Sequence, residues 1–209
     1  MTLALDHLVV TATTLDAGVR WCEATLGVTP GPGGKHPLMG THNRLVNITS
    51  EGFAQAYLEI IAIDPTAPRP PHTRWFGLDR LTPESTPQLQ HLVLRCDDIK
   101  TTRAAMLAAG QDPGLPTAAS RDTPQGRLQW LITLGADGGV LARGAPPTLI
   151  EWHCAHPTRH MADLGVRLSN LALAPGAVAL PVAGAITRAG AALRVTLRCP
   201  RGDIILHTP

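Results

Sequence analysis

The chain has 209 residues, with 18 Lys and Arg against 16 Asp and Glu and a net charge of +2 when His is neutral. So balanced a charge excludes recruitment of nucleic acid or an anionic membrane by bulk electrostatics. With 44% hydrophobic and 16% charged residues, the chain is too apolar for disorder and long enough to bury a core.

The first predicted element is a β-branched apolar strand from Leu3 to Thr11. No basic segment precedes it and Asp6 follows closely, so no secretory signal is expected. Leu15, Val19, Cys22 and Leu26 then fall on one helical stripe, with Thr13 or Thr14 as the cap and Gly27 as the stop. Strand-like segments follow between Gly, Pro and Asn turns, up to the apolar run Tyr57-Leu58-Glu59-Ile60-Ile61. Arg69-Pro70-Pro71-His72 and its neighbours read as a linker. A second strand, Leu89 to Arg95, leads into a helix capped by Asp97 or Asp98, carrying Ile99, Met106 and Leu107 and stopped by Gly110. Leu168 to Thr187 is long and uncharged, but Asn170, Pro175, Gly176, Pro181 and Gly184 interrupt it, which argues against a membrane span. Cys22, Cys96, Cys154 and Cys199 lie far apart and outside any CxxC pattern. The expectation is a reduced, cytoplasmic protein without zinc-ribbon structure.

Self-comparison reveals a repeat. Leu5-Asp6-His7-Leu8-Val9-Val10 recurs as Leu89-Gln90-His91-Leu92-Val93-Leu94, and Asn43 to Ile48 recurs as Gly126 to Leu131. Tyr57 to Ile61 is matched to Leu149 to His153, with the insertion Gly135 to Pro147 absorbing the extra length. Two βαβββ modules are therefore expected, at residues 1–66 and 88–157, joined by a linker at 67–87. Residues 158–209 align only through Leu168 to Leu173, with strands expected near Ala192 to Cys199 and Asp203 to His207. They read as a truncated third module packing on the others. The fold class is α+β, with tandem βαβββ modules forming a cup-shaped mixed sheet.

Each full module places a His within its apolar first strand and a Glu within its apolar last strand. Strand alternation puts His7 on a face with Leu5 and Val9, and Glu59 with Tyr57 and Ile61. A carboxylate there has to be paired, protonated or bound to a cation. An arginine such as Arg44 or Arg127 is one such partner.

The order His7, Glu59, His91, Glu151 on first and last strands resembles the vicinal oxygen chelate superfamily, which includes glyoxalase I, extradiol dioxygenases and bleomycin resistance proteins. Gly33-Gly34-Lys35-His36-Pro37-Leu38-Met39-Gly40-Thr41-His42-Asn43, with Tyr57 to Pro65, more narrowly resembles its bacterial glyoxalase-like domain branch. The resemblance implies His7, Glu59, His91 and Glu151 as ligands to a divalent metal, whether Zn, Ni, Co, Mn or Fe, with Glu59 or Glu151 free to act as the general base. A narrower set, His7, His91 and Glu151, matches a two-His one-carboxylate iron site. The implied activity is that of a lyase, isomerase or dioxygenase acting on a small molecule with vicinal oxygens. The alternative is a metal-free protein that sequesters a small molecule. Self-association as a homodimer is compatible with the superfamily. His42, Asn43, Asn47, Trp130 and His153 are the candidate substrate-binding residues, His42 and Asn43 also serving as turn residues and His153 as a reserve ligand. His72, His156, His160 and His207 are expected in solvent.

Overall fold

Thr14 caps α1 (Leu15–Leu26) by accepting from the Ala17 amide at 3.1 Å, and Gly27 closes it in a left-handed conformation at φ 74°. A short hydroxyl and a residue without Cβ thus satisfy backbone groups that helix ends leave orphaned. Asp98 does the same at the start of α2 (Ile99–Ala108), accepting from the amides of Lys100 and Thr101. The computed structural model describes residues 2–209.

Around these helices the first module adds β1 (Ala4–Thr11), β2 (Gly31–His36), β3 (Thr41–Asn47) and β4 (Tyr57–Ile63). The second adds β5 (Gln88–Arg95), β6 (Leu115–Thr123), β7 (Gly126–Leu134) and β8 (Thr148–Trp152). All eight strands form one mixed sheet in the order β2-β3-β4-β1-β5-β8-β7-β6. β1 and β5 pair antiparallel at its centre, and each pairs parallel with the last strand of its own module. The sheet curls into a cup. Its outer face packs α1 and α2 through Leu8, Val10, Cys22, Leu58, Leu92 and Met106, whereas Val9, Ile61, Val93, Trp130 and Ile150 line its inner face.

Two bulges break the central pairing, one at Asp6 between Leu5 and His7, the other at Gln90 opposite the step from Val9 to Val10. An extra residue in one strand resets the alternation. His7 therefore shares the inner side with Val9 but not with Leu5, which joins the outer core. The expected three-residue face is corrected by the bulge, which also brings the Asp6 carboxylate to the His7 ring.

The segment read as a linker between the modules has structure of its own. Residues 75–80 form a 3-10 turn whose Trp75, Phe76 and Leu78 are buried against the inner face, with Phe76 at φ 55°. A positive φ at a bulky residue is strained and persists only where packing over-determines it. Leu107, read into α2 with Ile99 and Met106, is 41% exposed, and the buried side of the helix is formed by Ile99, Thr102 and Met106.

The C-terminal strands β9 (Arg167–Leu173), β10 (Ala185–Thr187), β11 (Leu193–Cys199) and β12 (Gly202–His207) form a second sheet, ordered β10-β9-β11-β12. Leu168, Leu171, Val195 and Leu197 extend the outer core beside Leu3 and Phe53. Among the described residues, no helix is long and apolar enough to cross a membrane.

Candidate functional site

At the floor of the cup, β1 contributes His7 and β4 contributes Tyr57 and Glu59. Asn43 from β3, His36 from β2 and Arg121 from β6 complete the polar wall, and Trp75, Phe76, Trp130 and Trp152 also line a chamber of about 30 Å³. That is room for one or two water molecules. His7 and Glu59 are each 4% exposed, and His7 Nε2 lies 3.5 Å from Glu59 Oε2. The other ring nitrogen, Nδ1, is 2.7 Å from Asp6 Oδ1.

Asp6 is wholly buried, yet it is richly bonded. Oδ2 accepts from Trp152 Nε1 at 2.9 Å, from His156 Nε2 at 3.0 Å and from Arg95 Nη1 at 3.4 Å. Burial alone drives this carboxyl upward, but hydrogen bonds from His156 and His7 prevail and hold it below the usual carboxylate range. An ionised Asp6 accepts only. His7 therefore donates from Nδ1 to Asp6, and Nε2 is presented to Glu59.

Glu59 is positioned from its other side. Asn43 Nδ2 donates to Glu59 Oε1 at 2.6 Å, while Asn43 Oδ1 accepts from the Gly34 amide at 2.8 Å and from Arg121 Nη1 at 3.4 Å. Those donors fix the amide orientation of Asn43. Tyr57 stacks on His7 with ring centres 4.6 Å apart, and burial pushes its phenol well above the ordinary value.

The second module lacks this polar set. Val9 pairs with Glu59 and its repeat counterpart Val93 pairs with Thr148, so Thr148 occupies the Glu59 position. His91 Nε2 accepts from the Thr148 amide at 3.0 Å, and His91 Nδ1 has no hydrogen-bond partner. Glu151 leaves the cup, because Oε2 accepts from the Ile99 amide at the start of α2 at 2.7 Å and Oε1 meets His153 Nε2 at 2.7 Å.

The glyoxalase-like domain family model matches residues 5–189. The chain belongs to the glyoxalase-like domain family. A crystal structure of a hypothetical protein from Staphylococcus aureus covers 98% of this glyoxalase-like chain and 84% of its own length at 14% identity, with a TM-score of 0.60; it shares the fold. Streptomyces coelicolor methylmalonyl-CoA epimerase is 18% identical over 74% of this chain and 99% of that one, with a TM-score of 0.44. A hypothetical protein from Bacillus halodurans is 12% identical over 73% and 94%, with a TM-score of 0.43. No curated protein sequence matches the chain.

Within this glyoxalase-like domain, the ligand set His7, Glu59, His91 and Glu151 is not brought together. His7 and Glu59 share a chamber, His91 is spent on Thr148, and Glu151 caps a helix on the outer side. Among the described residues, no three His, Cys, Asp or Glu side chains are grouped to hold a metal ion. The four-donor set therefore does not fit this fold. Asn43 and Trp130 line the chamber. His42 alternates to the face opposite Asn43, towards Asp64 and Lys35, with its Nε2 buried and unbonded. Asn47 accepts from the Thr49 amide in a turn, and His153 is exposed beside Glu151. His156 is corrected from solvent to core by its bond to Asp6, whereas His72, His160 and His207 are exposed. The partner of Glu59 is Asn43 rather than Arg44 or Arg127, since Arg44 lies on the exposed face and Arg127 donates to Ser120. Asp6, His36, Tyr57, Arg121, Trp152 and His156 join the site without having been singled out for it.

Two buried histidines give the fold a pH dependence. Burial holds His36 and His91 down to about 3. In the unfolded chain both take a proton near pH 6.5, while the folded chain keeps them neutral, so protons favour the unfolded state as pH falls. Stability is then full above about pH 6.5 and declines by roughly 1 kcal/mol per pH unit for each histidine on the way down towards pH 3. Urea unfolding at about pH 7.5, 6 and 5 measures this; an unchanged midpoint across that range contradicts it.

Proposed function

We propose that this glyoxalase-like domain is an acid–base enzyme, an isomerase or lyase, moving a proton at a carbon beside the oxygens of a small molecule with vicinal oxygens. Glu59 accepts the substrate proton, and His7 Nε2 receives it or returns it to the substrate. The observation that carries this reading is the buried pair at 3.5 Å, held on one side by Asp6 and on the other by Asn43. Burial of both side chains strengthens the electrostatic interactions of the pair and fixes its orientation before a substrate arrives. Arg121 and the chamber-lining amide and imidazole groups offset negative charge that develops on a substrate oxygen. His91 and Glu151 take no part. The metal-dependent lyase, isomerase or dioxygenase reading calls for donors from both modules, and only His7 and Glu59 of that set face one cavity.

Deuterium uptake tests the proposal. Short-chain 2-oxo acids such as 4-methyl-2-oxopentanoate, incubated with chelator-treated protein in heavy water, lose the proton signal of the carbon next to the carbonyl. That loss is expected to require Glu59 and to be indifferent to added Zn, Ni, Co, Mn or Fe(II). Exchange that appears only with a metal restores the metal reading. A second reading, sequestration of a small molecule without turnover, is favoured by the narrow chamber lined by four aromatic side chains; it predicts binding with no exchange in either wild type or variant.

A further inference from the structure

Arg121 stands between two cavities. On one side is the chamber with His7 and Glu59; on the other is a groove of about 160 Å³ whose apolar wall includes Leu45, Leu128, Met161 and Pro157. The side chain is half-buried. Its one hydrogen bond is the contact to Asn43 Oδ1 at 3.4 Å, and among the described residues no Asp or Glu lies in ion-pair range of it. A planar guanidinium has five donors in a fixed fork. Partly removed from water and without a counter-ion, it lacks the partners that make such burial favourable.

The backbone is shaped to keep it there. A Cβ on Gly34 would lie 2.3 Å from Arg121 Nη1, and one on Gly33 would lie 2.1 Å from Asn43 Oδ1. Separations that short are impossible for real side chains. The glycine pair in β2 thus opens the space in which Arg121, coming from the opposite edge of the cup, reaches across towards the polar wall.

We propose that Arg121 is the anion receptor of the site and that its ligand is a small organic acid. The carboxylate docks on the guanidinium fork, and the apolar substituent lies in the Leu45–Leu128–Met161 groove. Which carbon faces Glu59 rests on the acid–base reading above; the docking does not. Repulsion between Glu59 and a carboxylate sets the orientation, because the anionic end is drawn to Arg121 and away from the proton acceptor. Chamber and groove together are smaller than the 300 Å³ or so at which drug-sized sites begin, so the ligand has few heavy atoms.

Calorimetric titration of the intact protein with 4-methyl-2-oxopentanoate and with its neutral amide is the test. Wild type is expected to bind the acid at least ten-fold more tightly than the amide. Arg121→Gln binds both equally weakly, and Arg121→Lys recovers part of the preference, since a point charge replaces the fork. Glu59→Gln separates this proposal from the catalytic one: it binds the acid at least as tightly as wild type while failing to exchange its proton. Equal affinity for acid and amide in wild type overturns the proposal. So does an acid preference that survives in Arg121→Gln, or failure of wild type to bind the acid. A melting temperature of Arg121→Gln within a few degrees of wild type shows that loss of binding reports the contact rather than the fold.

Discussion

Glu59→Gln is expected to slow proton exchange on a bound 2-oxo acid by roughly 10²–10⁴-fold, the range a positioned general base contributes, while leaving the protein folded. The substitution keeps the shape of the side chain. Gln Oε1 still accepts from Asn43 Nδ2, replacing the 2.6 Å bond of the carboxylate, and its amide NH₂ finds His7 Nε2 as an acceptor across the former 3.5 Å gap. What disappears is the capacity to take a proton. Rates followed by proton NMR in heavy water, with urea unfolding as the control for folding, measure the two effects separately. Wild-type exchange in the variant would remove Glu59 from the chemistry, whereas absence of exchange in both proteins would leave sequestration as the stronger reading.

The second large effect belongs to Asp6. Truncation to Ala removes the shared acceptor of His7, His156, Trp152 and Arg95. Breaking a buried charge network from one side costs about 3–5 kcal/mol, because the surviving donors stay buried without partners. Urea titration reads that loss directly; a change below about 1 kcal/mol, the size of an exposed ion pair, would mean that the network relaxes freely. Asp6→Asn is the gentler variant. It preserves volume but turns an NH₂ towards His7 or His156, so that His7 favours its proton on Nε2, the wrong tautomer for receiving one. An Asp that orients a catalytic His is worth about 10⁴-fold in the serine-protease triad, and a large rate loss with a largely retained fold is expected here. The pH profile discriminates a positioning role: the acidic limb shifts in Asp6→Asn if Asp6 acts through His7, and stays in place if it serves packing alone.

Much of this architecture was legible in the sequence. The repeat of Leu5 to Val10 at Leu89 to Leu94 announced the two central strands, Thr14 and Gly27 bounded the first helix, and the family resemblance carried the cup. His7 and Glu59 were visible as polar interruptions of apolar strands. Other features lay beyond pattern reading for identifiable reasons. A bulge leaves no mark in apolar alternation when its extra residue is itself polar, so Asp6 was not linked to His7. The insertion before β8 made its length ambiguous, and matching Glu to Glu across the repeat chose a register three residues away from the one in which Thr148 opposes Val93. Arg121 and His36 come from Gly- and Pro-rich or polar strands whose alternation is weak. Trp75 and Phe76 sit in a stretch whose neighbouring prolines spoke for a linker, yet two large aromatics supply more burial free energy than such a segment needs to leave solvent.

The bond between Asp6 and His156 spans 150 residues, which ties the site to the order in which the chain is made. Asp6 leaves the ribosome early, in a strand that is buried only once its neighbours arrive, and two of its side-chain donors, Trp152 and His156, emerge some three-quarters of the way through synthesis. Until then Asp6 has His7 beside it but lacks the donors that the second module supplies. The His7–Glu59 pair lies within the first module, yet the bonds from Trp152 and His156 that hold Asp6 beside it exist only once the second module is complete.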